Sequence, residues 1–236
     1  MVSKMSSDYD FTSFKDDSYY DPSTKSLLHH RKMLNLWDDD LKDDVEKHMP
    51  VIINGGVNEA ASGVIQDPAG SAIGSSSVGG GGASGAIYDS FDLEPIPWIP
   101  PEDSIFNSTN GNGKRVLHTH SPKLKGSPNI HSNRMAAVVS LANSYYHAIV
   151  TFNEKAAELG DDGKLLNLVP VSASIFAGRF LRNDLGMGHL DPSFTFLAIA
   201  LAIGTLIKDK QHVPEMTIYF YDKEVCQRAE EYYVDI

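Results

Sequence analysis

The chain has 236 residues, 31 acidic and 20 basic, for a formal net charge of −11. That length accommodates one substantial core, or one core plus a tail. The charge argues against a nucleic-acid binder acting through a general positive field, and a single cysteine, Cys226, excludes an internal disulfide framework.

Met1 to His30 is polar and acidic, with tyrosines but few aliphatics. It reads as an N-terminal tail outside a domain spanning 31–236. It has no apolar segment of the secretory kind, so no signal peptide is expected. Met33-Leu34-Asn35-Leu36-Trp37 is expected as a short strand. Asp38, Asp39 and Asp40 supply capping acids for a short helix over Leu41 to His48. Val51-Ile52-Ile53 is a β-branched run ending at Asn54-Gly55-Gly56, expected as a buried strand entering a turn. Residues 59–78 are mostly small, include Pro68, and read as a long loop.

The stretch Val78-Gly79-Gly80-Gly81-Gly82-Ala83-Ser84-Gly85-Ala86-Ile87 organises the rest. Four consecutive glycines oppose a regular helix or strand. Tyr88 and Phe91 then follow as a helix start would read. A glycine loop opening a helix leaves backbone N–H groups pointing outward, which suits phosphate. A flexible linker is the competing interpretation, since Ser75-Ser76-Ser77 precede it. Between Val51 and Gly113 there are seven acids and no lysine or arginine. Phosphate held here would therefore be held by backbone dipoles rather than side-chain charge.

Pro95 to Pro101 cannot form regular structure. Arg115 to His120 is a strand candidate stopped by Ser121-Pro122. Asn133 caps an expected helix through Ala157, with Met135, Val138, Val139, Ala142, Tyr146 and Ile149 on one side. Leu166 to Val171 is an apolar strand that leaves as the loop Ser172-Ala173-Ser174. Asp191-Pro192 is an N-cap with proline at the first helical position, opening an apolar helix to Ile207. The run from Phe194 to Ile207 is too short to span a bilayer and reads as a buried helix. Met216 to Tyr221 is the last strand and Lys223 to Tyr233 the last helix. Alternating strands and helices indicate an α/β class with a largely parallel sheet. Ligands in such sheets bind beyond the carboxyl ends of the strands.

Gly80 to Gly85 formally satisfies G-x-G-x-x-G, but a dinucleotide fold needs a strand directly before it. The nearest evident strand ends at Ile53. His118 and His120 share a strand face, as two metal ligands would. Without a third ligand nearby, packed and hydrogen-bonded histidines are favoured. G-x-S-x-G is absent. Cys226 lies among polar residues of the last helix and is expected to be inert. The loop Ser172-Ala173-Ser174-Ile175-Phe176 reads either as a second backbone cradle for phosphate, with Phe176 closing over a sugar, or as an ordinary strand-to-helix turn.

Together these pieces resemble the macro domain, and most nearly its viral members. Val51-Ile52-Ile53-Asn54-Gly55-Gly56 is similar to the family's strand ending in Asn-Ala-Ala-Asn. Gly80-Gly81-Gly82-Ala83-Ser84-Gly85-Ala86-Ile87 resembles its glycine loop opening a helix. Val116-Leu117-His118 with Ser121-Pro122 resembles its Val-Ile-His strand followed by Gly-Pro. Val169-Pro170-Val171-Ser172-Ala173-Ser174-Ile175-Phe176 resembles its second loop, and Tyr219-Phe220-Tyr221-Asp222-Lys223 its closing strand. The resemblance covers about Lys32 to Ile236.

It implies a three-layer α/β/α sandwich with a mixed, largely parallel sheet. It also implies binding of ADP-ribose, free or protein-linked, with no cofactor and no metal. Asp40, with Leu41, would meet adenine, and Tyr221 would lie beside its ring. Gly80, Gly81, Gly82, Ala83, Ser84 and Gly85 would hold the diphosphate together with Ser172, Ala173, Ser174, Ile175 and Phe176. Asn54 or Asn58 would meet the distal ribose as the catalytic position. Val57, or Ala61 in a shifted register, takes the place of the family's second Asn, so hydrolysis is expected to be weak or absent. The alternatives are an ADP-ribosyl hydrolase, an ADP-ribose-1''-phosphate phosphatase, or a macro fold serving as an interaction scaffold. A cytoplasmic setting, without membrane or nucleic-acid partners and within a larger polyprotein or assembly, is the expected context.

Overall fold

The computed structural model describes residues 39–68, 82–94, 96, 99, 103–107, 112–124, 134–174, 176–177, 181–182 and 188–234. The tail, the expected strand at Met33 to Trp37, Gly80, Gly81 and Ile175 lie outside these residues.

In chain order the elements are α1 (Asp39–Lys47), β1 (Val51–Asn54), β2 (Val64–Asp67), α2 (Ala83–Phe91), β3 (Ser104–Phe106) and β4 (Val116–Thr119). There follow α3 (Arg134–Lys155), β5 (Leu165–Leu168), β6 (Leu181–Arg182), β7 (His189–Leu190), α4 (Pro192–Lys208), β8 (Glu215–Phe220) and α5 (Lys223–Val234). Six strands form one sheet in the order β1-β8-β5-β2-β4-β3. All neighbours are parallel except β3, which runs antiparallel to β4 at one edge. β6 and β7 form a separate antiparallel pair.

Side chains alternate across the sheet, as the period of two requires. Val64, Leu117, Leu166, Leu168, Met216, Ile218 and Phe220 face the larger core, which α1, α3, α4 and α5 cover. Ile65, Val116 and Val169 face a smaller core under α2. Helices on both faces of a mixed sheet make the expected three-layer sandwich. α4 is buried all round from Pro192 to Leu206, and its cap is as expected: the Asp191 carboxylate accepts from Ser193 N–H. Among the described residues no helix is long and apolar enough to cross a membrane.

Two expectations change. β1 is not buried: it lies at the sheet edge, and Val51 is 63% exposed. Its β-branched residues mark a strand but do not separate edge from centre. The expected loop over 59–78 contains β2, a central strand buried at all four positions. β2 was hidden because Gln66 and Asp67 interrupt its apolar pattern. Both are paired from afar: Gln66 Oε1 accepts from Val169 N–H at 3.2 Å, and Asp67 meets His118. The strand's other end is fixed by Asn167 Nδ2, which donates to the carbonyls of Ser62 at 2.8 Å and Val64 at 3.1 Å.

Candidate functional site

Because β1, β8, β5, β2 and β4 are parallel, their carboxyl ends lie along one side of the sheet. Ligands of open α/β sheets bind on that side. The chain leaves there as the turn after Asn54, as Tyr221, as the loop after β5, as the glycine run after β2 and as the segment after β4.

The glycine run does open a helix. Gly82 caps α2 at φ 73°, a left-handed conformation suited to glycine, with no side-chain cap. The first intrahelical bond runs from Ala86 N–H to the Gly82 carbonyl at 3.1 Å. The N–H groups of Ala83, Ser84 and Gly85 therefore precede the helical ladder. Gly82 is exposed and a Cβ built on it meets nothing within 4 Å. The result is an open, electropositive helix end without side-chain charge.

The loop after β5 is fastened from outside. Ser172 is buried at φ 57°, and its hydroxyl donates to the Pro122 carbonyl at 2.6 Å. Leu190 N–H donates to the Ala173 carbonyl at 2.7 Å, Ala177 N–H to that of Ser174 at 2.9 Å, and Leu124 N–H to that of Phe176 at 2.8 Å. Beneath the loop, the Tyr145 hydroxyl donates to the Val169 carbonyl and accepts from Val171 N–H, both at 2.9 Å. Burial pushes the Tyr145 phenol well above its ordinary value of 10.0, so it stays a neutral donor. These bonds engage the carbonyls of Ala173, Ser174 and Phe176. β2 and β5 are hydrogen-bonded neighbours, so their carboxyl ends lie about 5 Å apart.

The remaining expected residues divide. Tyr221 is 80% exposed at the end of β8, free to lie against a ring. Asp40 is in the first turn of α1, whose other end leads into the amino end of β1. Leu41 does not face a ligand: it is 7% exposed and belongs to the larger core. Asn54 donates through Nδ2 to the Phe220 carbonyl at 2.9 Å, holding β1 to β8. Asn58 donates to Ser90 Oγ at 3.0 Å, pinning the turn Val57–Glu59 to α2. Both amides brace the scaffold. The strand that leads into the glycine run is β2, not β1, so Asn54 and Asn58 do not occupy the position that the resemblance assigned them.

Asp67 and His118 were not anticipated as a pair. They stand directly opposite in the β2–β4 register, on the α2 side. The Asp67 carboxylate accepts from His118 Nδ1–H at 2.7 Å, and neither side chain is exposed. The Tyr88 ring of α2 lies 5.7 Å from the His118 ring. Among the described residues Asp67 Oδ1 and His118 Nε2 have no partner. Thus one imidazole bonds the last residue of β2 and packs against a ring of α2. No local sequence signal marks this contact, because 51 residues separate its partners. His120 is a packed histidine, as expected, donating to the Ile99 carbonyl at 3.2 Å. Among the described residues no group of three or more His, Cys, Asp or Glu could hold a metal ion. Cys226 is buried, and burial followed by the nearby Glu230 raises its thiol pKa, which opposes thiolate chemistry.

No protein-family model and no curated protein sequence matches the chain. Solved structures do match. A variant of the Oceanobacillus iheyensis macrodomain with ADPR aligns at TM-score 0.54 and 17% identity, over 76% of this chain and 89% of that one. The Trypanosoma brucei macrodomain in complex with ADP aligns at 0.51 and 14%, over 80% and 70%. An alphavirus protein described as P23pro-zbd aligns at 0.53 and 16%, over 78% of this chain but only 24% of its own length. At these identities the likeness is one of fold, and the fold is that of the macro domains.

Proposed function

We propose that this chain binds ADP-ribose, free or attached to protein, across the carboxyl ends of its parallel strands. The observation that carries the proposal is the pairing of two backbone loops there. The uncapped start of α2 and the tied-back loop at Ser172 to Phe176 would each present N–H groups suited to a diphosphate. Macrodomains of the same fold with ADPR and with ADP support this choice of ligand. Adenine would lie toward the β1 and β8 edge, against the exposed Tyr221, with Asp40 accepting from its amino group. The terminal ribose would lie toward β4, under Phe176.

Substituting Ser84 with aspartate separates binding from folding. A carboxylate in the first turn of α2 favours the helix dipole by about 0.3–1 kcal/mol, yet it repels a diphosphate at the same N–H groups. Ser84→Asp is expected to keep or raise the melting temperature while weakening ADP-ribose by about tenfold or more, near 1.4 kcal/mol. Calorimetric titration measures the affinity; unchanged affinity in the folded variant would remove the diphosphate from this helix end.

A second reading is hydrolysis of an ADP-ribosyl linkage or of a phosphate on it; the Asp67–His118 pair is wholly buried and supplies no base for it. A de-modification assay on ADP-ribosylated protein decides between binding alone and turnover.

A further inference from the structure

Two buried side chains stand between the sheet and the loop that begins at Ser172. β5 ends at Leu168, and Pro170, two residues on, has no N–H to extend a ladder. Side chains bond the residues on either side of that proline. Val169 N–H donates to Gln66 Oε1 of β2 at 3.2 Å. The Val169 carbonyl accepts from the Tyr145 hydroxyl of α3, and Val171 N–H donates to the same oxygen, both at 2.9 Å. The Thr195 hydroxyl of α4 makes a third bond to it. One proton given and two received use the full capacity of a phenol oxygen. By alternation Gln66 points to the same side of the sheet as Val64, where the larger core also holds Tyr145.

Val171 leads directly into Ser172, which is held at φ 57° with its hydroxyl on the Pro122 carbonyl. The direction in which the chain leaves β5 is therefore set by Gln66 and Tyr145 before the turn and by Ser172 within it. Gln66 and Tyr145 are fully buried, so neither can touch a ligand. We propose that both are positioning residues: they fix the start of this loop in the conformation that receives the diphosphate. This rests on the ADP-ribose reading above. Each can be tested by a substitution that leaves the surface of the cleft unaltered. Tyr145→Phe keeps the ring in the larger core and takes one oxygen away from the Val169 carbonyl and Val171 N–H. Gln66→Met keeps a chain of similar length and removes the acceptor of Val169 N–H.

The experiment is a calorimetric titration of the full chain with ADP-ribose, well below every melting transition, on the wild type, Tyr145→Phe, Gln66→Met and Tyr146→Phe. The last is a control: it removes a hydroxyl from the next residue of α3, one bonded at 3.2 Å to Asp209 Oδ2 just past the end of α4. Tyr145→Phe and Gln66→Met are each expected to weaken ADP-ribose by about three- to tenfold, the worth of one hydrogen bond. Tyr146→Phe should stay within about twofold. Amide hydrogen exchange reads the loop without ligand. Val171 N–H in Tyr145→Phe, and Val169 N–H in Gln66→Met, should exchange about tenfold faster than in the wild type, with β5 itself unchanged. Faster exchange with wild-type affinity, unchanged exchange, or an equal loss of affinity in Tyr146→Phe overturns the positioning role and leaves the cleft reading standing. If one of the two variants does not fold, the other decides by the same outcomes. No binding of ADP-ribose by the wild type overturns the reading of the cleft, and the positioning role with it.

Discussion

Replacing Asp67 with alanine is expected to destabilise the protein by about 3–5 kcal/mol, the usual consequence of breaking a buried, hydrogen-bonded pair from one side. His118 would keep a buried Nδ1–H with no acceptor, since neither side chain is exposed and the carboxylate supplies its 2.7 Å partner. The loss should reach the ligand as well. Asp67 ends β2, and His118 packs against Tyr88 of α2, the next element along the chain. ADP-ribose affinity should therefore fall along with the urea midpoint. The double variant Asp67→Ala with His118→Leu should recover part of the stability, because it removes the orphaned group rather than its partner alone. Urea unfolding of both single variants and the double variant gives the coupling. Additive losses would show that the pair does not act as a unit.

Much of the fold is legible in the sequence where local signals agree with tertiary placement. Asp191-Pro192 opens α4 as its cap chemistry requires, and the apolar run behind it is buried because α4 lies between the sheet and its neighbouring helices. The glycine run followed by Ala83 opens α2 for equally local reasons. What failed is β2. Its sequence Val64-Ile65-Gln66-Asp67 has two apolar residues, followed by proline, and nothing in it separates a loop from a central strand. The polar half is held by one bond each, Gln66 from Val169 N–H and Asp67 from His118, and those residues lie far along the chain. Placing the motif strand at β1 followed from that omission, and so did the roles given to Asn54 and Asn58. The two loops proposed for a diphosphate stand out in the sequence because backbone cradles are written in small residues. The Asp67–His118 pair was not, because it exists only in the β2–β4 register.

The start of β2 provides the second large effect. Gly63 has φ +84°, and a Cβ built on it would lie 2.5 Å from the Leu165 carbonyl oxygen and 2.8 Å from Asn167 Nδ2. The first neighbour is backbone and cannot swing aside. The second is committed, since Asn167 donates to Ser62 and Val64 and accepts from Thr217 Oγ1 at 2.8 Å. Gly63 N–H in turn donates to Asp162 Oδ1 at 3.1 Å, so the backbone is held from that side too. Gly63→Ala therefore combines a side chain at positive φ, about 1–3 kcal/mol, with overpacking against β5, about 1–3 kcal/mol more. The expected result is a loss of about 2–6 kcal/mol, enough to unfold a marginal domain. Gly82→Ala is the matched control. Its φ is also positive, at 73°, but nothing lies within 4 Å of its Cβ, so only the conformational part applies. Thermal melts of the two variants side by side separate close packing from backbone strain. If Gly63→Ala melts no lower than Gly82→Ala, β2 does not approach β5 as closely as the sheet register requires.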